Sequence, residues 1–143
     1  MSPIPDALRK RLRAAAPEPR CAYCQSPERL LGIPLEIDHI IPEAAGGKTV
    51  FNNLCLCCRV CNGHKSAQTH GRDPKTGRRV RLFNPRKQKW SAHFEWRESG
   101  RQIAGLTPTG RTTVETFAMN NDLIVNLREL WIALQMHPPK MTS

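Results

Sequence analysis

Apolar and polar residues recur along the chain with two different periods, and each period predicts a different kind of element. Residues 5–16 combine leucines at helical spacing with basic side chains and predict a short basic helix. Residues 35–41 are rich in β-branched side chains and predict a strand, which a proline and a glycine pair end in a loop. Residues 50–57 predict a second extended or mixed segment, and a helix is expected over residues 58–66.

The second half of the chain alternates between turn-forming and apolar stretches. Residues 69–88, rich in glycine, proline and arginine, predict a loop, and residues 90–106 predict a hairpin. The pair Thr112 and Glu115 fits a capping box that opens a short helix, and Asp122 is expected to cap the last helix. Four leucines of that last helix share one face at helical spacing, which predicts core positions: Leu123, Leu127, Leu130 and Leu134.

Together these elements predict an α+β fold in a single domain over residues 1–143. A basic helix occupies residues 1–20, and a ββα core occupies residues 21–66. A basic loop over residues 67–89 then leads to a hairpin and two helices over residues 90–143.

The positive charge is concentrated in two blocks. The chain carries a formal net charge of +10, and residues 66–90 hold eight basic side chains against Asp73 alone. Residues 1–20 are also basic, whereas the acidic and basic side chains between the two blocks cancel. Two basic blocks beside a neutral region suit a polyanion held across a central site, so we expect a nucleic-acid partner.

The sequence offers no candidate for membrane association. The longest apolar runs fall well short of the roughly 20 residues that span a bilayer, and the first thirty residues lack the apolar core of a signal peptide. We therefore expect a cytoplasmic protein without a membrane partner, in which the six cysteines stay reduced. Reduced cysteines act as metal ligands or as small core residues.

Two C-x-x-C pairs predict a structural zinc site. Cys21 and Cys24 form the first pair, and Cys58 and Cys61 form the second after 33 intervening residues. Two such knuckles complete a tetrahedral four-cysteine site with no open position. Cys55 and Cys58 have the same spacing, so spacing alone leaves the second knuckle open; the residues after Cys61 favour the later pair.

The residues around these pairs occur in a specific order: Asp38-His39, Pro42, Gly46-Gly47, Asn53-Leu54, and then Asn62 and Lys65 after the second pair. The run from Cys21 to Ser66 resembles the HNH endonuclease family. The ββα-metal core of that family pairs a D-H-x-x-P strand with N-L and C-x-x-C-N-x-x-K. Residues 82–139 are also similar to the tails of small bacterial members, which implies kinship without assigning chemistry.

The resemblance implies a metal-dependent endonuclease that hydrolyses DNA, and the residue types suit that reaction. His39 is the candidate general base, because an imidazole exchanges protons near neutral pH. Asn53 is expected to orient its ring. Asp38 and Asn62 offer oxygen ligands for one Mg²⁺ or Mn²⁺, which would stabilise the charge on the phosphate.

Five basic side chains are expected to contact the phosphate backbone. Lys65 lies one helical turn beyond Asn62 and is predicted to meet a phosphate as a point charge. Arg59 lies inside the second knuckle, and the others lie in the basic loop: Arg78, Arg79 and Arg81. Such contacts would make affinity fall steeply with salt and carry little sequence information.

Several alternatives stay open at this stage. Asn62 and His64 point about 200° apart on a helix, so only one of them can complete the metal site. Asp38 and His39 would face opposite sides of a regular strand, so a shared site requires an irregular strand end. RNA could replace DNA as the substrate, or the chain could be a non-catalytic zinc module that binds nucleic acid. Oligomeric state is not predicted, and specificity could come from a protein partner.

Overall fold

The computed structural model describes residues 3–140, which form two compact units. The first unit comprises the chain up to Thr69 together with Asn84–Gln88, and the second comprises His70–Phe83 and the chain from Lys89 onward. The single domain over residues 1–143 stays a prediction. Within residues 3–140, none of the helices combines the length and apolar character needed to cross a membrane.

The first unit is built around an antiparallel pair of strands and the helix that follows. Its elements are α1 (Asp6–Ala14), α2 (Glu28–Leu31), β1 (Glu36–His39), β2 (Leu54–Cys57) and α3 (Arg59–Lys65). Asp38 lies opposite Cys55 and His39 lies opposite Leu54 in the β1–β2 register. The ββα order confirms the fold predicted for this part of the chain.

Burial explains why β2 forms the centre of this unit. All four residues of β2 are buried, and α1 packs against the strand through its one buried residue, Leu12. The strand β1 alternates between more exposed and more buried positions and is shorter than the sequence predicts. Short 3-10 turns over Glu43–Ala45 and Phe51–Asn53 lie between the two strands.

The second unit contains two hairpins and three helices. Its elements are β3 (His70–Arg72), β4 (Arg79–Arg81), α4 (Trp90–His93), β5 (Phe94–Arg97), β6 (Gln102–Gly105), α5 (Pro108–Thr116) and α6 (Asp122–Ala133). The β5–β6 hairpin confirms the one predicted over residues 90–106, with a single helical turn preceding it. Most aromatic residues of this unit are buried, as expected of core positions.

The predicted loop over residues 67–89 is wrong in part, because β3 and β4 pair as an antiparallel hairpin. Its turn is organised by Asp73, whose carboxylate accepts from the Lys75 backbone N–H and the Thr76 hydroxyl. The same carboxylate receives two hydrogen bonds from Arg111 on α5, which hold its pKa well below the usual range. A contact from so distant a residue is invisible in the local pattern.

Both predicted helix caps in this unit are displaced. The helix α5 begins at Pro108 and is capped by Thr107, whose hydroxyl accepts from the Gly110 N–H. A proline is favourable at the first helical position because the backbone N–H that it lacks has no hydrogen-bond partner within the helix at that position. The helix α6 is capped by the Asn121 side chain, which accepts from the Ile124 N–H.

The leucine stripe of α6 is not a core face. Leu123, Leu130 and Leu134 are 78%, 61% and 67% exposed, whereas Arg128 and Trp131 are buried. A hydrogen-bond network sets this rotation of the helix: the Arg128 guanidinium donates to the carbonyls of Arg101 and Met119 and to the Asn120 side chain. A buried charge with several acceptors outweighs the apolar pattern.

Candidate active site and cysteine cluster

Four cysteines from the two predicted pairs converge in the first unit. The sulfurs of Cys21, Cys24, Cys58 and Cys61 all lie within 4.8 Å of one another, and all four residues are buried. Each pair is arranged in the same way, with the backbone N–H of the second cysteine directed at the sulfur of the first, 3.4 Å away in both cases. The two intervening residues of each pair form this turn. Because the four sulfurs converge, the cluster could hold a metal ion.

The structure selects Cys58 with Cys61 and places Cys55 elsewhere. The Cys55 sulfur lies 3.9 Å from Asp38 Oδ2, and burial raises the pKa of its thiol to about 12. In the cluster, hydrogen bonds from neighbouring thiols, Cys21 foremost, lower the pKa of Cys24 and Cys58. Burial raises the pKa of the Cys21 thiol, and hydrogen bonds with the neighbouring thiols raise that of Cys61. Cys55 is a buried thiol outside the cluster.

A cleft of about 500 Å³ in the first unit gathers three of the four predicted catalytic residues: Asp38, His39 and Asn62. Asn53 is not among its lining residues. Glu43, which the sequence analysis did not single out, also lines the cleft.

Asp38 sits at the buried end of this cleft, where it is 5% exposed. Its Oδ2 accepts a hydrogen bond of 2.7 Å from the Tyr23 hydroxyl, and its Oδ1 accepts one of 3.1 Å from Lys65 Nζ. Burial raises the pKa of the carboxyl, and the charge of Lys65 opposes this rise. With the Cys55 thiol also directed at Oδ2, three side chains hold the carboxylate in one orientation.

Lys65 does not have the role predicted from the sequence. Its side chain is 2% exposed, and its ammonium donates to Asp38 and, at 2.9 Å, to the His39 carbonyl. An ammonium in this position compensates a buried carboxylate and joins α3 to β1. The buried ammonium cannot also contact a phosphate at the surface, so the predicted phosphate contact of Lys65 is wrong.

The His39 ring is held by a residue that sequence reasoning missed. His39 Nε2 lies 2.9 Å from Thr49 Oγ1 and 3.7 Å from a carboxylate oxygen of Glu43. Glu43 follows His39 by four residues, which is a signal that the sequence offered. Thr49 offered none, because a loop brings it back to the ring.

Asn53 positions the loop after His39 rather than the ring. Its Oδ1 accepts from the Ile41 N–H, and its Nδ2 donates to the carbonyls of Ile41 and Lys48. These bonds go to backbone groups and use both amide hydrogens, whereas the His39 ring contacts Thr49 and Glu43, so the predicted contact of Asn53 with the imidazole is wrong. Gly47 completes the arrangement, because a Cβ there would overlap the Ile41 carbonyl oxygen.

The two candidates for the second metal ligand have different surroundings. Asn62 lines the cleft, and its Nδ2 donates to a Glu36 carboxylate oxygen at 2.8 Å. His64 is exposed and is not among the residues that line the cleft. Arg59, at the start of α3, is also exposed.

The predicted backbone contacts of the basic loop lie on the first hairpin of the second unit. Arg78 lies in its turn, and Arg79 and Arg81 flank Val80 on β4, so these two side chains share one face of the strand. All three arginines are exposed. Across the hairpin they face two further basic positions, Arg72 and His70.

The first unit thus combines a ββα arrangement with a buried cysteine cluster and a cleft lined by Asp38 and His39. Residues 21–68, about a third of the chain, match the family model described as HNH endonuclease. This segment is therefore similar to the HNH family, whose members are generally endonucleases, and the similarity suggests a nuclease or nucleic-acid-binding function. No curated protein and no solved structure matches the chain.

Proposed function

We propose that this protein is a metal-dependent HNH endonuclease that hydrolyses phosphodiester bonds in DNA, by nicking or by cutting both strands. The observation that carries the proposal is the single cleft in which His39, Asp38 and Asn62 lie together. An imidazole and two oxygen donors in one cleft match the needs of metal-assisted hydrolysis. Binding alone would require none of them.

The cysteine cluster is proposed to hold a structural zinc ion. A tetrahedral site with Zn–S bonds of about 2.3 Å separates its sulfurs by about 3.8 Å, and the Cys24 and Cys58 sulfurs lie 3.7 Å apart. Four thiolates leave no position for substrate, so this ion stabilises the fold. A cytoplasmic location fits this site, since reducing conditions keep thiols available to metal.

The cleft suits one catalytic Mg²⁺ or Mn²⁺. Asn62 Nδ2 donates a hydrogen bond to Glu36, so Oδ1 is the atom of Asn62 that would coordinate the cation. Asp38 Oδ2 accepts from both Tyr23 and Cys55, whereas Oδ1 accepts from Lys65 and keeps a lone pair for a cation. The cation, when bound, neutralises charge on the phosphate and on the leaving oxygen. Exposure of His64 favours Asn62 as the second ligand.

His39 is proposed to act as the general base. In the tautomer in which Nε2–H donates a hydrogen bond to Thr49 Oγ1, Nδ1 carries the lone pair that takes a proton from water. The resulting hydroxide attacks phosphorus, the bond to the 3′ oxygen breaks, and that oxygen takes up a proton. Products with 5′-phosphate and 3′-hydroxyl ends follow. Glu43, near Nε2, would stabilise the imidazolium.

Exposed arginines are proposed to bind the DNA backbone. Arg78, Arg79 and Arg81 on the hairpin, with Arg59 on α3, are available to phosphates because their side chains reach solvent. Backbone contacts of this kind position a duplex but do not read its sequence. A protein partner that supplies specificity is therefore compatible with the proposal.

Substrate choice separates the proposal from its alternatives, an RNA-cleaving HNH nuclease and a non-catalytic zinc-containing binding module. We expect the protein to cut duplex DNA in Mg²⁺ or Mn²⁺. The measurement compares a labelled DNA duplex, its single strand and the matching RNA under identical conditions. Cleavage of RNA alone would establish the first alternative, and binding of DNA without cleavage of any substrate would establish the second.

A further inference from the structure

We infer that Arg11 and Arg86, held on the ring of Phe51, form a phosphate-binding site in the first unit that grips the DNA backbone outside the cleft. The inference rests on the proposed nuclease function, because it assigns this site to the same substrate. It differs from the hairpin arginines, which belong to the second unit.

One aromatic ring organises both cations. The guanidinium carbon of Arg11 lies 4.1 Å from the Phe51 ring centroid, and that of Arg86 lies 4.2 Å from it. The two guanidinium carbons are therefore at most 8.3 Å apart. Arg11 comes from α1 and Arg86 from the Asn84–Gln88 segment, so the fold brings together two residues far apart in sequence.

Neither cation is neutralised by the protein. Elsewhere in the first unit Arg13 pairs with Glu28 at 2.7 Å, but Arg11 and Arg86 pair with no carboxylate among the described residues. Both side chains are exposed. Two neighbouring cations repel each other, and contact with one ring offsets this repulsion only in part. A phosphate bonded to either guanidinium would offset part of this repulsion.

Arg86 is also oriented for a bidentate contact. Its Nε donates to the Leu54 carbonyl at 3.0 Å, so the side chain is fixed at both the ring and the strand β2. With Nε committed, the edge formed by the two terminal nitrogens remains, and this edge matches two phosphate oxygens. Much of the entropy cost of ordering an arginine is then paid before DNA binds.

The position of Phe51 connects this site to the cleft. Phe51 begins the Phe51–Asn53 turn, and Asn53 at its end fixes the loop that follows His39. A backbone phosphate held at the ring is thus held by the same short segment that positions the catalytic loop. Such a contact would fix the substrate strand relative to that loop.

The test measures DNA affinity against salt concentration. The full chain with His39→Ala serves as the parent, so that the duplex stays intact in Mg²⁺. Arg11→Gln and Arg86→Gln are each expected to reduce the slope of log K against log salt by about 1. Phe51→Leu keeps every charge and is expected to weaken binding about threefold, because the cations lose the ring that orders them. Lys10→Gln, which removes one charge from the same helix, is the matched control.

The site is overturned if both arginine variants change the slope no more than Lys10→Gln does, or if the parent does not bind DNA. Thermal unfolding shows whether each variant folds. If Phe51→Leu does not fold, the Arg11→Gln and Arg86→Gln variants still test the phosphate-binding site, because both side chains are exposed. Cleavage by otherwise wild-type protein separates the two proposals. A reduced salt slope in the arginine variants, with no cleavage by the protein that keeps His39, would reject the nuclease function and support the phosphate-binding site. Cleavage with an unchanged salt slope would support the nuclease function and reject the phosphate-binding site.

Discussion

His39→Ala is expected to slow DNA cleavage by at least about 10²- to 10⁴-fold, the usual contribution of a general base. The imidazole lies in the cleft with Nε2 held by Thr49, and alanine can neither accept a proton nor make that bond. DNA affinity should change little, because the substitution removes no backbone contact. Single-turnover cleavage of a labelled duplex in excess protein measures the chemical step apart from binding.

His64→Ala is the matched control for this experiment. His64 is an exposed histidine of the same HNH segment and does not line the cleft, so its loss should leave the cleavage rate close to that of the unmodified protein. Equal cleavage by the unmodified protein and His39→Ala would show that His39 is not the base. A large loss in His64→Ala alone would transfer the catalytic role to that residue.

Cys58→Ser is expected to release the structural metal and unfold the first unit. A structural zinc ion contributes on the order of 10 kcal/mol to folding, which is comparable to the whole stability of a typical domain. Cys58 has a second structural role as the N-cap of α3, because its sulfur accepts a hydrogen bond from the Cys61 N–H. Zinc content by mass spectrometry and unfolding followed by circular dichroism measure the two effects.

Cys55→Ser provides the comparison, because Cys55 shares the C-x-x-C spacing with Cys58 but lies outside the cluster. This variant should keep its zinc and remain folded, with a modest loss of stability from placing a hydroxyl in a buried position. The opposite pattern, with zinc lost in Cys55→Ser and kept in Cys58→Ser, would move the second knuckle to the earlier pair.

The parts of the fold that depend on local chemistry were predictable from the sequence. The spacing within each C-x-x-C pair sets a turn that brings its own thiols together, and β-branched residues favour a strand before His39. The ββα order of the first unit follows from these signals. Spacing alone allowed Cys58 to pair with either Cys55 or Cys61, and the convergence of the four sulfurs shows that it pairs with Cys61.

Tertiary contacts decided the features that sequence reasoning missed. The periodic leucines of α6 predict a buried face, but the acceptors around Arg128 turn that face outward. Arg111 reaches Asp73 across 38 positions of sequence to fix the turn of a hairpin that reads locally as a loop. The sequence around Asp73 does not indicate that Arg111 is its partner, and the sequence around Arg111 does not indicate Asp73.

The candidate site shows the same division. Asp38, His39 and Asn62 line one cleft, yet the partners of each group depend on how the elements pack. Lys65 lies buried against Asp38 because α3 packs against β1, and Asn53 binds backbone because the loop after His39 folds onto it. Motif spacing identifies the residue types a site needs, whereas packing determines which group each side chain meets.

One tightly held zinc ion is expected to shape the fold, while a second, exchangeable cation in the cleft supports hydrolysis. Brief dialysis against a weak chelator, followed by plasmid cleavage with and without added Mg²⁺, tests both parts in one sample. We predict that zinc stays bound at one ion per chain, that cleavage stops, and that Mg²⁺ restores it. Cleavage that continues unchanged after every exchangeable cation is removed would contradict the account.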